Sequence, residues 1–302
     1  MPHPPASPFR TVRDLLRYAV TRFNAAHLAF GHGLTNAYDE AAYLILHTLS
    51  LPLDVLEPFL DARLMPDEID AVLSVIERRV TTREPAAYIT HEAWMHGLRF
   101  YVDERVIVPR SLIGEVLQDG LQPFIETPLE VGAVLELCTG SASLAILAAH
   151  AFPNADIDAV DLSAPALEVA ARNVAEHGQD ERITLFAGDL FAPLPAEYRG
   201  RYEVILSNPP YVNAQSMRAL PDEYRHEPEM ALAGGEDGMD IVRRIIADAR
   251  AWLAPEGVLV IETGNERANV EAAFGGLELH WLDTSAGADQ VFLIRAADLP
   301  QC

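Results

Sequence analysis

From Pro128 onward this chain of 302 residues repeats one pattern: a short apolar run, a polar turn, then a longer stretch with apolar residues at helical spacing. Residues 134–137 precede a helical stretch over 143–151, and 157–160 precede another over 164–177. Residues 183–186 lead into Gly188-Asp189-Leu190. Residues 202–206 and a helical stretch over 239–253 follow, then the run 258–261. Apolar runs of this length between turn residues read as strands buried on both faces. A strand that returns through a helix lies parallel to its predecessor, so the alternation predicts a doubly wound α/β sheet. Such sheets bind ligands at the carboxyl ends of their strands. The last two runs, 277–282 and 291–294, lack a full helix between them and are expected to pair antiparallel at one edge.

The first part of the chain has a different period. Leu15, Leu16, Ala19 and Val20 fall at helical spacing, as do Ala42, Leu46 and Leu49. Asp39-Glu40 is expected to start the second helix and Leu51-Pro52 to end it. Pro66-Asp67-Glu68 opens a third, carried on by Ile69, Val72, Leu73, Ile76 and Val80. Ala86-Ala87-Tyr88-Ile89 and then 92–102, with Gly97 near the turn, resemble a hairpin. The expected organisation is a helical domain over 1–85, a hairpin linker over 86–110 and the α/β domain over 111–302.

Composition limits the partners. A net charge of −23 argues against a surface that grips nucleic-acid phosphates; it suits a basic protein partner, and equally it keeps a protein in solution. No apolar run approaches the roughly 18–20 residues of a membrane span, and the first ten residues have no signal-peptide core. The expectation is a cytoplasmic protein with no membrane contact. Cys138 and Cys302 are not expected to form a disulfide. Neither they nor the ten histidines have metal-ligand spacing, so no metal is assigned. No nucleophile and base pair demands covalent catalysis.

The stretch richest in chemistry is Ser207-Asn208-Pro209-Pro210-Tyr211. Two prolines end the preceding strand and hold Asn208 and Pro209 extended. The Asn208 side-chain oxygen and the Pro209 carbonyl then stand as neighbouring acceptors, with an aromatic ring just beyond. Two acceptors match the two hydrogens of an –NH2 group and aim its lone pair. Binding that favours a pyramidal, increasingly positive nitrogen lowers the barrier for an amide or aromatic amine. The Tyr211 π face favours the same developing charge.

Three earlier strand ends add to this. Glu136-Leu137-Cys138-Thr139-Gly140-Ser141-Ala142-Ser143 runs from strand through small residues into a helix, admitting a ligand close to the backbone. Asp161, about 20 residues on, is placed to accept both hydroxyls of a ribose, with helix capping as the alternative. Asp189, followed by Leu190, is placed to accept an adenine amine, or is simply a turn aspartate. The segment 233–238 reads either as a substrate-side loop or as a flexible turn, and Glu262-Thr263-Gly264-Asn265 as a brace or a cap.

With these residues in view the chain resembles the class I methyltransferases, and within them the protein-(glutamine-N5) methyltransferases of the HemK/PrmC/PrmB group. The resemblance covers most of the chain: the helical N-terminal domain, the hairpin, Pro109-Arg110-Ser111, 138–141, Asp161, Asp189, 208–211 and 227–238. It implies a Rossmann-like, mostly parallel seven-stranded sheet with a small helical domain and a β-hairpin linker. It also implies S-adenosylmethionine as methyl donor and S-adenosylhomocysteine as product. Cys138, Thr139, Gly140, Ser141 and Ala142 would cradle the methionine part, Asp161 the ribose, and Asp189 with Leu190 the adenine; Glu136, Leu162 and Asn208 are also counted among the donor-binding residues. Asn208, Pro209 and Tyr211 would carry catalysis, and Phe100, Arg110 and Pro210 would complete the acceptor side. Pro109-Arg110-Ser111-Leu112 is similar to the PrmB branch, whose substrate is a glutamine of the third large-subunit ribosomal protein; the release-factor branch is the alternative. Ala142 departs from the glycine common there and is expected to crowd the donor slightly. Methylation of adenine amines in DNA or RNA, or a non-catalytic binding module, are the other readings.

Overall fold

The computed structural model describes residues 8–301. It divides into two compact units, with boundaries at 92/93, 220/221 and 226/227, so that Pro221–His226 joins the first unit.

The first unit is built on α1 (Val12–Ala25), α2 (Ala37–Thr48), α3 (Pro66–Thr82) and α4 (Ala86–Thr90). Each start has a local cause. Thr11 and Asp14 cap α1 reciprocally, and the Asn36 side chain accepts from the backbone of Tyr38 and Asp39. Pro66 opens α3 while Glu68 accepts from the Met65 N–H at 2.7 Å. Leu15, Ala19 and Phe23 pack with Leu44, Ile45, Val72 and Ile76. The inner face of α2 is therefore Ala41, Leu44 and Ile45, while Ala42 and Leu49 are only half-buried. Residues 86–90 correct the hairpin expectation, because they form α4. Pro85 presets the backbone before its first turn, and Glu92 N–H closes back onto the Ala87 carbonyl at 2.9 Å.

At the centre of this unit lies a buried charge cluster. Arg79 is fully buried and donates to Glu40 at 2.7 Å, to the Ala29 carbonyl at 3.0 Å and to Glu223 at 3.4 Å. Glu223 also accepts from Arg83 and from the Ala29 N–H. Replacing Arg79 with methionine would strand Glu40 without its counter-charge and leave Glu223 to Arg83 alone. The expected loss is about 3–5 kcal/mol, read from the urea midpoint of the transition that reports on this unit.

The second unit starts with a hairpin, β1 (Ala93–Met95) and β2 (Leu98–Phe100). His96 and Gly97, both at positive φ, make its two-residue turn. After α5 (Ile113–Gln118) come β3 (Ala133–Leu137), α6 (Ser143–Ala151), β4 (Asp156–Asp161), α7 (Ala164–Glu176), β5 (Ile183–Ala187) and β6 (Tyr202–Ser207). The chain continues through α8 (Ala214–Ala219), α9 (Asp240–Ala249), β7 (Leu253–Glu262), α10 (Arg267–Phe274), β8 (His280–Trp281) and β9 (Val291–Arg295). The seven-stranded sheet has the order β5-β4-β3-β6-β7-β9-β8, with β9 antiparallel to both its neighbours and every other pair parallel. The expected edge pair is present, with β8 trimmed to two residues and a short α10 before it.

Every residue of β3 is buried, as expected of a central strand covered by helices on both faces. One face packs on α6 through Val134, Val204 and Ile146; the other packs on α9 through Leu135, Ile205 and Ile245. From β3 the chain winds outward through β4 and β5, then returns to β6 on the other side. That reversal opens a crevice at the carboxyl ends of β3 and β6, where an open α/β sheet binds its ligand. No helix among the described residues is long and apolar enough to cross a membrane. Cys138 is a free thiol, and Cys302 lies outside the described residues.

Candidate active site

A cavity of about 120 Å³ occupies that crevice. It is lined by Cys138 and Gly140 after β3, Asp161 and Leu162 after β4, Asp189 and Leu190 after β5, and Asn208 and Pro210 after β6. Four successive strand ends thus bring the expected residues to one place. Arg105, Val106, Ile107, Pro228, Met230, Ala231 and Ile241 complete the wall.

The turn after β3 is held from behind. Glu136 points away from the cavity lining: it is buried, and its carboxylate accepts from the Thr139 hydroxyl and, at 2.9 Å, from the Ala145 N–H. It shapes the turn rather than lining the cavity, and the same holds for its neighbours. Thr139, Ser141 and Ala142 are buried, and the Ser141 carbonyl accepts from Asn173 at 2.9 Å. Ala142 packs in the core with φ +62°, so its methyl does not crowd the cavity; the cost is a left-handed backbone. Burial pushes the Glu136 carboxyl up to about 8, only partly offset by the two donors. A carboxyl raised in the fold binds its proton more tightly there, so its contribution weakens as pH rises from the ordinary carboxylate range toward 8. Glu136→Gln is therefore expected to melt increasingly above the parent as pH goes from 5 to 8.5, in paired thermal scans. A melting difference independent of pH would count against this assignment.

Asp161 is differently placed. One carboxylate oxygen accepts from the Gly140 N–H and the other from the Ser163 N–H, both at 2.8 Å. Ser163 caps α7 through Ala166 at 3.2 Å, so capping does not occupy Asp161. Burial raises its carboxyl above the usual range, against the backbone donors. A carboxylate has about four lone-pair sites, so these backbone donors leave it room to accept from a diol in the cavity. Asp189 is exposed and paired with Arg244 at 2.7 Å. The Cys138 thiol is pushed up to about 12 by burial and stays protonated, which removes it as a nucleophile.

Ser207 ends β6 with its hydroxyl on the Leu137 carbonyl at 3.0 Å. Beyond it, neither the Asn208 side chain nor the Pro209 carbonyl has a hydrogen-bond partner among the described residues. The segment 233–238 is a cradle for this motif. Val212 donates to the Leu232 carbonyl at 2.8 Å and accepts from Gly234 at 2.9 Å. A Cβ at Gly234 would stand 2.7 Å from the Tyr211 Cα and 2.8 Å from the Pro210 oxygen; one at Gly238, φ +80°, would overlap the Tyr211 carbonyl oxygen. The Tyr211 ring rests on Gly264, and neither Tyr211 nor Pro209 lines the cavity.

Two acceptor-side expectations are corrected. Phe100 is fully buried in the core, with its ring 5.1 Å from that of His177, because β2 turns it inward. Arg110 is taken up by Glu227, with its two guanidinium nitrogens 2.5 and 2.8 Å from the carboxylate. Glu262, at the end of β7, accepts from the Ser111 hydroxyl at 2.5 Å and the Leu112 N–H at 2.8 Å, so it braces this segment.

The donor set fits a nucleoside carrying a positive centre: a carboxylate with spare lone pairs, apolar Leu162 and Leu190, and open backbone at Gly140. A family model described as "Methyltransferase small domain" matches residues 119–221. A ribosomal protein uL3 glutamine methyltransferase of Burkholderia pseudomallei is 72% identical over 97% of this chain and 97% of its own length. The protein of the same name in Bordetella pertussis is 60% identical over 96% of each chain. Among solved structures, the hMettl16 catalytic domain in complex with an RNA hairpin shares the fold alone: TM-score 0.51, 14% identity, 85% of this chain and 90% of that one. The seven-stranded α/β unit is a methyltransferase domain, and the chain belongs to the family of ribosomal protein uL3 glutamine methyltransferases.

Proposed function

We propose that this chain transfers a methyl group from S-adenosylmethionine to the side-chain amide nitrogen of a glutamine in ribosomal protein uL3. The observation that carries the reading is the pair of unused acceptors, the Asn208 side-chain oxygen and the Pro209 carbonyl, at the strand end where the cavity opens. The names of the relatives supply the protein substrate.

Asp161 holds the donor's ribose, Leu162 and Leu190 its purine, and the backbone of Cys138 and Gly140 lies along its amino-acid part. Bound S-adenosylmethionine supplies an electrophilic methyl group on sulfur. Asn208 and Pro209 take one amide hydrogen each and turn the nitrogen lone pair toward that methyl, so that most of the rate comes from position. The Tyr211 ring stabilises the nitrogen as it becomes cationic. The Asn208 oxygen strengthens its hydrogen bond as that charge grows, which favours the transition state over the ground state. One amide proton then passes to water.

The test is to incubate the purified chain with labelled S-adenosylmethionine and, separately, uL3, release factor and RNA, and to locate the label by mass spectrometry. Label on a uL3 glutamine is the expected result. Label on release factor or an adenine with none on uL3 would overturn the substrate assignment.

A further inference from the structure

Two stretches far apart in sequence both contribute to the cavity wall: Arg105–Ile107, and Pro228 with Met230 and Ala231. One residue beyond each stretch, the two are stitched together. Glu227, immediately before Pro228, accepts from the backbone N–H of Val108, immediately after Ile107, at 2.9 Å. The same carboxylate receives the Arg110 guanidinium through two bonds, and Arg110 also folds back onto the Val108 carbonyl at 3.1 Å. The Glu227 carboxylate is fully buried, while the Arg110 side chain keeps 24% exposure. A two-pronged arginine–carboxylate pair out of water is directional and slow to break.

We propose that Glu227 and Arg110 form a latch across the cavity wall that sets how long the donor and its demethylated product stay bound. They act as positioning residues, touching neither donor nor acceptor. The inference rests on the donor assignment made above. For the wall to part, a desolvated charge pair must separate and the Val108 N–H must lose its acceptor, so release is coupled to the pair. This also explains why an arginine so near the site is turned to its own chain.

The experiment measures binding and dissociation of S-adenosylhomocysteine by the full chain and by Glu227→Gln, Arg110→Lys, Arg110→Met and Glu227→Gln/Arg110→Met. Dissociation is expected to quicken about tenfold in each single variant, because truncating a buried charge pair acts mainly on the off-rate. The KM for the donor should rise more than kcat falls, and the double variant should lose no more than the worse single one. Arg110→Lys keeps the charge but cannot make two parallel bonds, so it carries the test should Glu227→Gln fail to fold. Wild-type binding with unchanged dissociation in folded Arg110→Lys and Arg110→Met overturns the latch and leaves the donor assignment standing. Absence of wild-type binding overturns both.

Discussion

Asn208→Ala is expected to lower methyl transfer by about 10²–10³-fold, the scale seen when one preorganised electrostatic contact to a transition state is removed. The change in donor affinity should be far smaller. Asn208 lines the cavity at one strand end, whereas the donor's hold as proposed above is spread over Asp161, Leu162 and Leu190, which line the same cavity from other strand ends. An Asn208 variant therefore separates chemistry from binding: kcat falls, and the dissociation constant for S-adenosylhomocysteine, from calorimetry, stays near the parent value. Asn208→Asp is a sharper version. It keeps the acceptor and its place before Pro209 but replaces a neutral amide by an anion beside the reacting nitrogen. Rates for Asn208→Ala within tenfold of the parent would show that the amide is oriented by other groups.

Gly238→Ala should have the second-largest effect, although residue 238 lines no part of the cavity. Its φ of +80° disfavours any Cβ, and the added methyl would overlap the Tyr211 carbonyl oxygen. The chain relieves that overlap by moving the backbone of the Asn-Pro-Pro-Tyr motif, and a displacement near 1 Å at a reacting group costs about 10²-fold in rate. Gly178→Ala is the control. It has φ +63° and nothing within 4 Å of the added carbon, so it carries the left-handed strain alone. Gly178→Ala should lose about 1 kcal/mol of stability with turnover intact, whereas Gly238→Ala loses turnover out of proportion to its melting temperature.

The sheet was legible because its central strands are buried on both faces and read as apolar runs, as in 134–137 and 202–206, each broken by a single glutamate. The helix α10 was not, since Val270 is its one buried residue and a single apolar position makes no stripe. Ala86-Ala87-Tyr88-Ile89 is short enough to suit either a strand or a helical turn, and in the fold it is the turn that follows Pro85. At the site, the placement of Asp161, Asp189 and Asn208 around one cavity was legible from their position at the ends of successive strands. Glu136 was grouped with Cys138 and Gly140 because it stands just before them in sequence, yet it is absent from the cavity lining. It lies within a strand whose five residues are all buried, so its neighbourhood in sequence says nothing about which way it faces. Arg110 and Phe100 were misassigned for another reason. Their partners, Glu227 and His177, lie 117 and 77 residues on, and no local pattern specifies such a pairing. The segment 233–238 left both a loop and a turn open, and only the approach of its backbone to Tyr211 separates them.

The excursion of Pro221–His226 has a bearing on how this protein can be taken apart. Six residues, Pro221–His226, belong with the helices, with Glu223 sunk among two arginines, while the residues on either side belong to the second unit. A cut at 92/93 would leave those helices short of an acid and the remainder with an orphaned loop carrying it. Neither piece would be whole, so the helices cannot be traded between relatives as a cassette unless this loop travels with them.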